Sequence, residues 1–165
     1  MVDTGVLAWF SVTIFVCFTT TQANTLARGW GDNLDWQTLE DGLKKAKEEN
    51  KPLMVVIHKT WCGACRALKP LFAETKEIGE IGSNFIMVNL EDDEEPADDQ
   101  YKPDGGYIPR ILFIDPTGKV RKEFYNEKGN PSYKYYYPQT DDILETMKKV
   151  QKAVEEGSFH KKEEL

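Results

Sequence analysis

The sequence predicts an α/β domain, a mixed central β-sheet flanked by helices on both faces. Three observations point there. A short continuous apolar run over residues 53–57 and the largely apolar stretches 85–90 and 111–114 have the composition of buried strands. Amphipathic stripes at helical spacing alternate with these runs and close the chain. The resulting order, α-β-α-β and then β-β-α, calls for a sheet with helices packed on either side. A chain of 165 residues has room for one ordinary domain rather than two. No internal repeat or dividing linker interrupts it.

Residues 6–18 are nearly all apolar, and Thr21-Gln22-Ala23 follows with small residues suited to a cleavage site. The apolar run is about a dozen residues, short of the ~20 that cross a bilayer as a helix. Residues 1–23 therefore read as a signal peptide cut after Ala23, although Asp3 stands in its leading region without any Lys or Arg. An uncleaved anchor or a buried helix is the alternative. Cleavage takes Cys17 with it and leaves Cys62 and Cys65 as a matched pair.

In the mature chain, Trp36, Leu39, Leu43 and Ala46 recur on one helical face, with Asp35 or Asn33 as N-cap and Lys51-Pro52 as the stop. After the strand at 53–57 a helix begins at Cys62. Its stripe is Leu68, Leu71, Phe72 and Ile78, it runs to about Gly79, and Pro70 should bend it. Strands at 85–90 and 111–114 follow. Asp115-Pro116-Thr117-Gly118 has turn composition, and residues 120–125 should return antiparallel to their neighbour. A loop rich in Gly, Pro and Tyr leads to a last helix capped by Thr140, with Asp141 and Asp142 in its first turn and Ile143, Leu144, Met147, Val150 and Val154 on its face. The domain spans residues 24–157, and 158–165 form a charged tail.

The chain is organised around Trp61-Cys62-Gly63-Ala64-Cys65, at the junction of a buried strand and a helix. Two cysteines with two residues between them suit thiol–disulfide exchange. A sulfur at the start of a helix lies near unpaired N–H groups and the positive end of the helix dipole, which favours thiolate. The second sulfur, one turn on, is placed to close a short disulfide. A structural disulfide or half of a zinc site are the competing readings. Zinc lacks donors, because there is no second cysteine pair and the two histidines are His58 and His160. A net charge of −7 argues against a nucleic-acid surface. The chain stops at Lys162-Glu163-Glu164-Leu165, similar to the four-residue retrieval signal of the endoplasmic reticulum with Glu for the usual Asp. A frayed charged tail is the bland alternative.

With Trp61 to Cys65, Pro70 eight positions after Cys62, and Ile108-Pro109 before a strand, the mature chain resembles thioredoxin-fold proteins. It is most similar to the single-domain endoplasmic-reticulum thioredoxins of the anterior-gradient group. Segments 61–70, 89–96, 103–110 and 129–135 carry that closer likeness, with 105–110 and the acidic segment the more selective. The resemblance implies a thioredoxin-like fold, with Cys62 as the attacking and Cys65 as the resolving thiol. It implies that Pro109 is cis, and that Trp61, Gly63, Ala64, Ile108 and Pro109 form the client-binding surface. Secretory client proteins and glutathione are the implied partners, with a retrieval receptor at the C-terminus and no cofactor or metal. A factor that tethers clients through its cysteines without turnover is the alternative function.

The sequence also departs from the family pattern. Six positions before the first cysteine, where relatives carry a buried carboxylate, stands Val56, which cannot relay a proton. His58 lies two residues along on the same side of the strand and reads as a core or rim histidine. Arg110 either favours thiolate at Cys62 or is a solvated strand-end arginine. The acidic run at 91–99 lacks the spaced ligands and Gly of a calcium loop and reads as solvated. Tyr133, Tyr135, Tyr136 and Tyr137 either contact clients or pack on the sheet. Asn130-Pro131-Ser132 is no glycosylation acceptor, because proline holds its middle position.

Overall fold

The computed structural model describes residues 25–159. The expected signal peptide and the Lys162-to-Leu165 ending lie outside them. Strands β1 (Trp36–Gln37), β2 (Leu53–His58), β3 (Ile86–Glu91) and β4 (Arg110–Ile114) form one sheet in the order β1-β3-β2-β4. β3 runs parallel to both β1 and β2, whereas β4 runs antiparallel to β2. The helices are α1 (Leu39–Glu49), α2 (Gly63–Glu74), α3 (Lys76–Gly82) and α4 (Thr140–Glu155). None is long and apolar enough to cross a membrane.

Strand alternation divides the core in two. Leu53, Val55 and Ile57 of β2 join Val88, Leu112 and Ile114 beneath α1, against Leu39, Leu43 and Ala46. Met54 and Val56 point the other way, with Met87, Ile111 and Phe113, and meet Leu68 and Phe72 of α2, Ile78 of α3 and Met147 and Val150 of α4. Burial on both faces is why these strands are mainly apolar, with polar residues at Asn89 and at the strand ends. Each such side chain contributes roughly 1.5–3 kcal/mol relative to exposure.

Several expectations need correction. Trp36 is not on α1: it lies in β1 beside Met87 and packs across the sheet from Leu39, Leu43 and Ala46. Its helical spacing from Leu39 was coincidental, and the cap is Thr38, whose hydroxyl accepts the Asp41 N–H at 3.2 Å. The second helical stretch passes through Pro70 and is interrupted at Thr75, giving α2 and α3. Residues 120–125 are not a strand. Val120 makes a single bridge to Ile114, Arg121 N–H bonds Phe113 O at 2.8 Å, and the chain turns away, with Phe124 N–H on Arg121 O at 3.2 Å. The outer edge of β4 is covered further along by Tyr135 O, which accepts the Ile111 N–H at 3.0 Å. Finally, α4 starts at Thr140 with Gln139 as its cap residue and no side-chain cap bond. The packed body also continues past 157, since Phe159 is fully buried against Phe124, with Arg121 over its ring.

The close approach of α1 to β3 depends on Gly42. A Cβ there would stand 2.6 Å from Val88 Cγ2, a stiff β-branched side chain in the middle of the sheet. Gly42→Ala should therefore destabilise the protein by ~1–3 kcal/mol through overpacking, despite the helix preference of alanine worth about 1 kcal/mol. Chemical denaturation compares the two; a gain in stability would show that the helix slides outward at no cost.

Candidate active site

Cys62 and Cys65 are joined in a disulfide, with Cα atoms 5.3 Å apart. The helix does not begin at Cys62, as expected, but at Gly63; Cys62 is its N-cap, in extended conformation. In that position the Cys62 sulfur accepts the Cys65 N–H at 3.0 Å, taking the place an oxygen fills in an ordinary cap. Cys62 is 6% exposed and Cys65 not at all, while Trp61, Gly63 and Ala64 around them are exposed. Trp61, at 71% exposure, stands clear of the core.

The Ile108–Pro109 peptide bond is cis. Ile108 O lies 3.9 Å from Cys62 Sγ, so the two sequence-distant segments face each other across a narrow gap. Arg110, the next residue, is not the solvated strand-end arginine of one reading. It is fully buried, donates to Tyr101 O at 3.1 Å and to Tyr107 O, and pairs with the Glu95 carboxylate.

The acidic segment likewise is more than a solvated loop. Asp92, held in left-handed backbone conformation at φ 51°, accepts the Thr60 N–H at 2.9 Å and its hydroxyl at 3.0 Å. The Thr60 N–H, more than any other factor, holds the Asp92 carboxyl below the ordinary range. Asp92 O also accepts from Lys59. Glu94 pairs with Arg28 and, mainly through it, titrates below the usual carboxylate range. Burial works against a charged Glu95, but Arg110 and Lys59 outweigh it and keep that carboxyl low. Lys59 was not singled out in the sequence, and Asp92 and Glu95 were read there only as members of the acidic run. Among the described residues no group of three or more His, Cys, Asp or Glu side chains is placed to hold a metal ion.

Val56 is fully buried, with no carboxylate in its place. His58 is a core histidine: fully buried, with its ring 5.2 Å from that of Trp30. Its Nε2 meets Asn89 Oδ1 at 2.6 Å. Asn89 in turn donates to Ala27 O at 3.0 Å, which makes its oxygen the acceptor and places the imidazole proton on Nε2. Nδ1 makes no hydrogen bond; Glu91 Oε1 is 3.8 Å away. Of the tyrosines, Tyr135 and Tyr137 are buried, as the packing reading expects, while Tyr133 is 47% exposed, edge-on to Tyr107.

A family model described as thioredoxin-like matches residues 35–116. Anterior gradient protein 2-B of Xenopus laevis is 45% identical over 126 residues, 76% of this chain and 76% of that protein. The human anterior gradient protein 2 homolog is 44% identical over 131 residues, covering 79% and 74% respectively. Human anterior gradient protein 3 is 42% identical over 133 residues, 79% of each chain. The solution structure of a thioredoxin from Thermus thermophilus superposes with a TM-score of 0.51 at 16% identity, over 78% of this chain and 98% of that one; it shares the fold.

Burial, the largest influence, lowers the pKa of His58 against the opposing effect of its Asn89 bond; Lys69 and Arg28 lower it further, and Glu91 raises it. The unfolded chain takes up this proton near the ordinary value of ~6.5, and the folded chain only at lower pH. Stability therefore falls as pH drops from about 6.5 towards the folded value, ahead of the carboxylates. His58→Gln, which keeps a partner for Asn89, should flatten the loss between about pH 7 and 5. Urea denaturation across that range reads it, and an unchanged slope would mean that His58 is charged in the fold.

Proposed function

The chain belongs to the anterior gradient family of thioredoxin-like proteins, and on that footing we propose that it is a thiol–disulfide oxidoreductase of the endoplasmic-reticulum lumen. Its clients are cysteines of secretory proteins, and glutathione recycles it. The observation that carries this reading is the Cys62–Cys65 disulfide, set at a helix N-terminus with one sulfur at the surface end and the other beneath it.

In the reduced protein, the Cys65 N–H and the α2 dipole stabilise a Cys62 thiolate. That thiolate attacks a client disulfide, forming a Cys62–client bond and releasing one client sulfur as a thiolate, which takes a proton from water. Cys65, deprotonated by solvent in the absence of a carboxylate at Val56, then attacks Cys62 Sγ. The second client sulfur leaves, and Cys62–Cys65 closes. The client gains two electrons and the pair loses two. Two molecules of glutathione restore the dithiol and become glutathione disulfide. The reverse sequence hands the disulfide to a client dithiol, and the potential of the pair sets the direction, 30 mV being about 1.4 kcal/mol.

The cis Ile108–Pro109 segment across the gap supports an extended client backbone beside Cys62, with exposed Trp61, Gly63 and Ala64 as the opposite wall. Lys162 to Leu165, bound by a retrieval receptor, keeps the protein in the compartment, and the signal peptide delivers it there. The apolar bed at Val56 favours a second reading, a tether in which the mixed disulfide is held rather than turned over.

Cys65→Ser separates the two. Glutathione-driven reduction of a client disulfide should fall by at least tenfold relative to wild type, and client mixed disulfides on Cys62 should accumulate. Equal rates for variant and wild type would end the enzymatic reading.

A further inference from the structure

We propose that Glu95 is a positioning residue for client binding: its one carboxylate ties the turn that carries Cys62 to the loop that carries Ile108 and Pro109. The width of the gap between them follows from that tie. This inference rests on the exchange reading above and adds to it a residue that fixes how the client strand is received.

Glu95 Oε2 lies 3.3 Å from Lys59 Nζ, and Oε1 pairs with Arg110 Nη2. Lys102 Nζ approaches the same Oε1 at 3.8 Å. Lys59 belongs to the cysteine turn, since its carbonyl accepts the Cys62 N–H at 3.2 Å. The same turn is gripped a second time by Asp92, through Thr60. Arg110 belongs to the proline loop: it adjoins Pro109, and its guanidinium donates to Tyr107 O and Tyr101 O, holding the chain immediately before Ile108. The sheet aligns Ile57 with Arg110, but residues 59–62 and 107–109 lie beyond that last rung.

The bridge is shielded. Side-chain exposure is nil for Arg110, 12% for Glu95 and 20% for Lys59. Charged hydrogen bonds in such a setting are short and directional and resist salt screening better than surface pairs. The parts they fix are the two walls of the 3.9 Å approach between Cys62 Sγ and Ile108 O. An extended client must enter that approach to place its sulfur in line with Cys62, whereas a small disulfide can reach Cys62 without spanning both walls.

The test uses the mature protein, with glutathione as reductant and two substrates: an extended peptide carrying a mixed disulfide with glutathione, and hydroxyethyl disulfide. Lys59→Met cuts the tie on the cysteine side, together with the Lys59 bond to Asp92 O, and leaves Arg110–Glu95 intact; Glu95→Gln weakens both sides and keeps the Lys59–Asp92 bond. The expected result is a KM for the peptide raised roughly fivefold or more with kcat little changed, and kcat/KM for hydroxyethyl disulfide within about twofold of wild type. Should Glu95→Gln fail to fold because Arg110 is left buried and unpaired, Lys59→Met alone decides. A wild-type KM for the peptide in Lys59→Met overturns the inference. So does an equal loss on both substrates, which would mark a general structural effect. A wild-type protein inert towards both substrates would overturn the exchange reading and this inference with it.

Discussion

Everything at the site depends on how β2 is paired. Because β2 and β3 are parallel, their C-terminal ends emerge at the same end of the sheet, with His58 beside Glu91. Because β4 is antiparallel to β2, its beginning arrives at that end as well, with Arg110 beside Ile57. Three segments far apart in sequence are thus delivered to one place: the turn before Cys62, the acidic run after β3, and the cis-proline loop. The end where parallel strands terminate is where open α/β sheets commonly present their chemistry. A slip of one residue in β2 would turn its apolar side chains to the wrong faces and separate all three segments.

Once brought together, the segments are held largely by charge. The protein is acidic overall, yet the carboxylates nearest the cysteines are spent on local partners: Glu94 on Arg28, Asp92 on Thr60 and the neighbouring backbone, Glu95 on Arg110 and Lys59. Exposed pairs such as Lys152–Glu156 on α4 are worth little to stability. The Glu95–Arg110 pair is of another kind. Removing either partner strands a charge inside the protein, a far larger cost than the net worth of the intact pair. Such an arrangement does little for overall stability but strongly disfavours any other geometry of the two loops.

The sequence revealed those parts of the fold whose signal is local. Residues 53–57, 85–90 and 111–114 could be read as strands because burial on both faces leaves them apolar at every position but Asn89, and the cysteine pair could be placed because its spacing is its chemistry. What escaped was set by partners distant in the chain. Trp36 has helical spacing to Leu39, but pairing with Met87 puts it in a strand. Residues 120–125 have strand composition, yet after Val120 the edge of β4 is shared with Tyr135, and no ladder forms. Arg110 and Glu95 each look like surface charges until the sheet sets them face to face. Phe159 stands next to a charged tail, and only the packing around Phe124 shows that it belongs to the core.

Val56 and Cys65 together bear on the tempo of exchange. Cys65 is sealed from solvent, and the nearby strand position that would carry a carboxylate is a fully buried valine. A low-dielectric setting disfavours any charged sulfur, so the proton on Cys65 has no internal destination. His58 is a poor destination, since burial lowers its pKa and disfavours its charged form. In the proposed exchange that proton would have to pass to water reaching Cys65 while Cys62 is engaged with a client. Attack by Cys62 would be favoured by the backbone while resolution would wait on solvent, and that delay would lengthen the life of the mixed disulfide. On this chemistry, oxidoreductase and tether are two ends of one scale, and the rate at which water reaches Cys65 sets the protein's position on it.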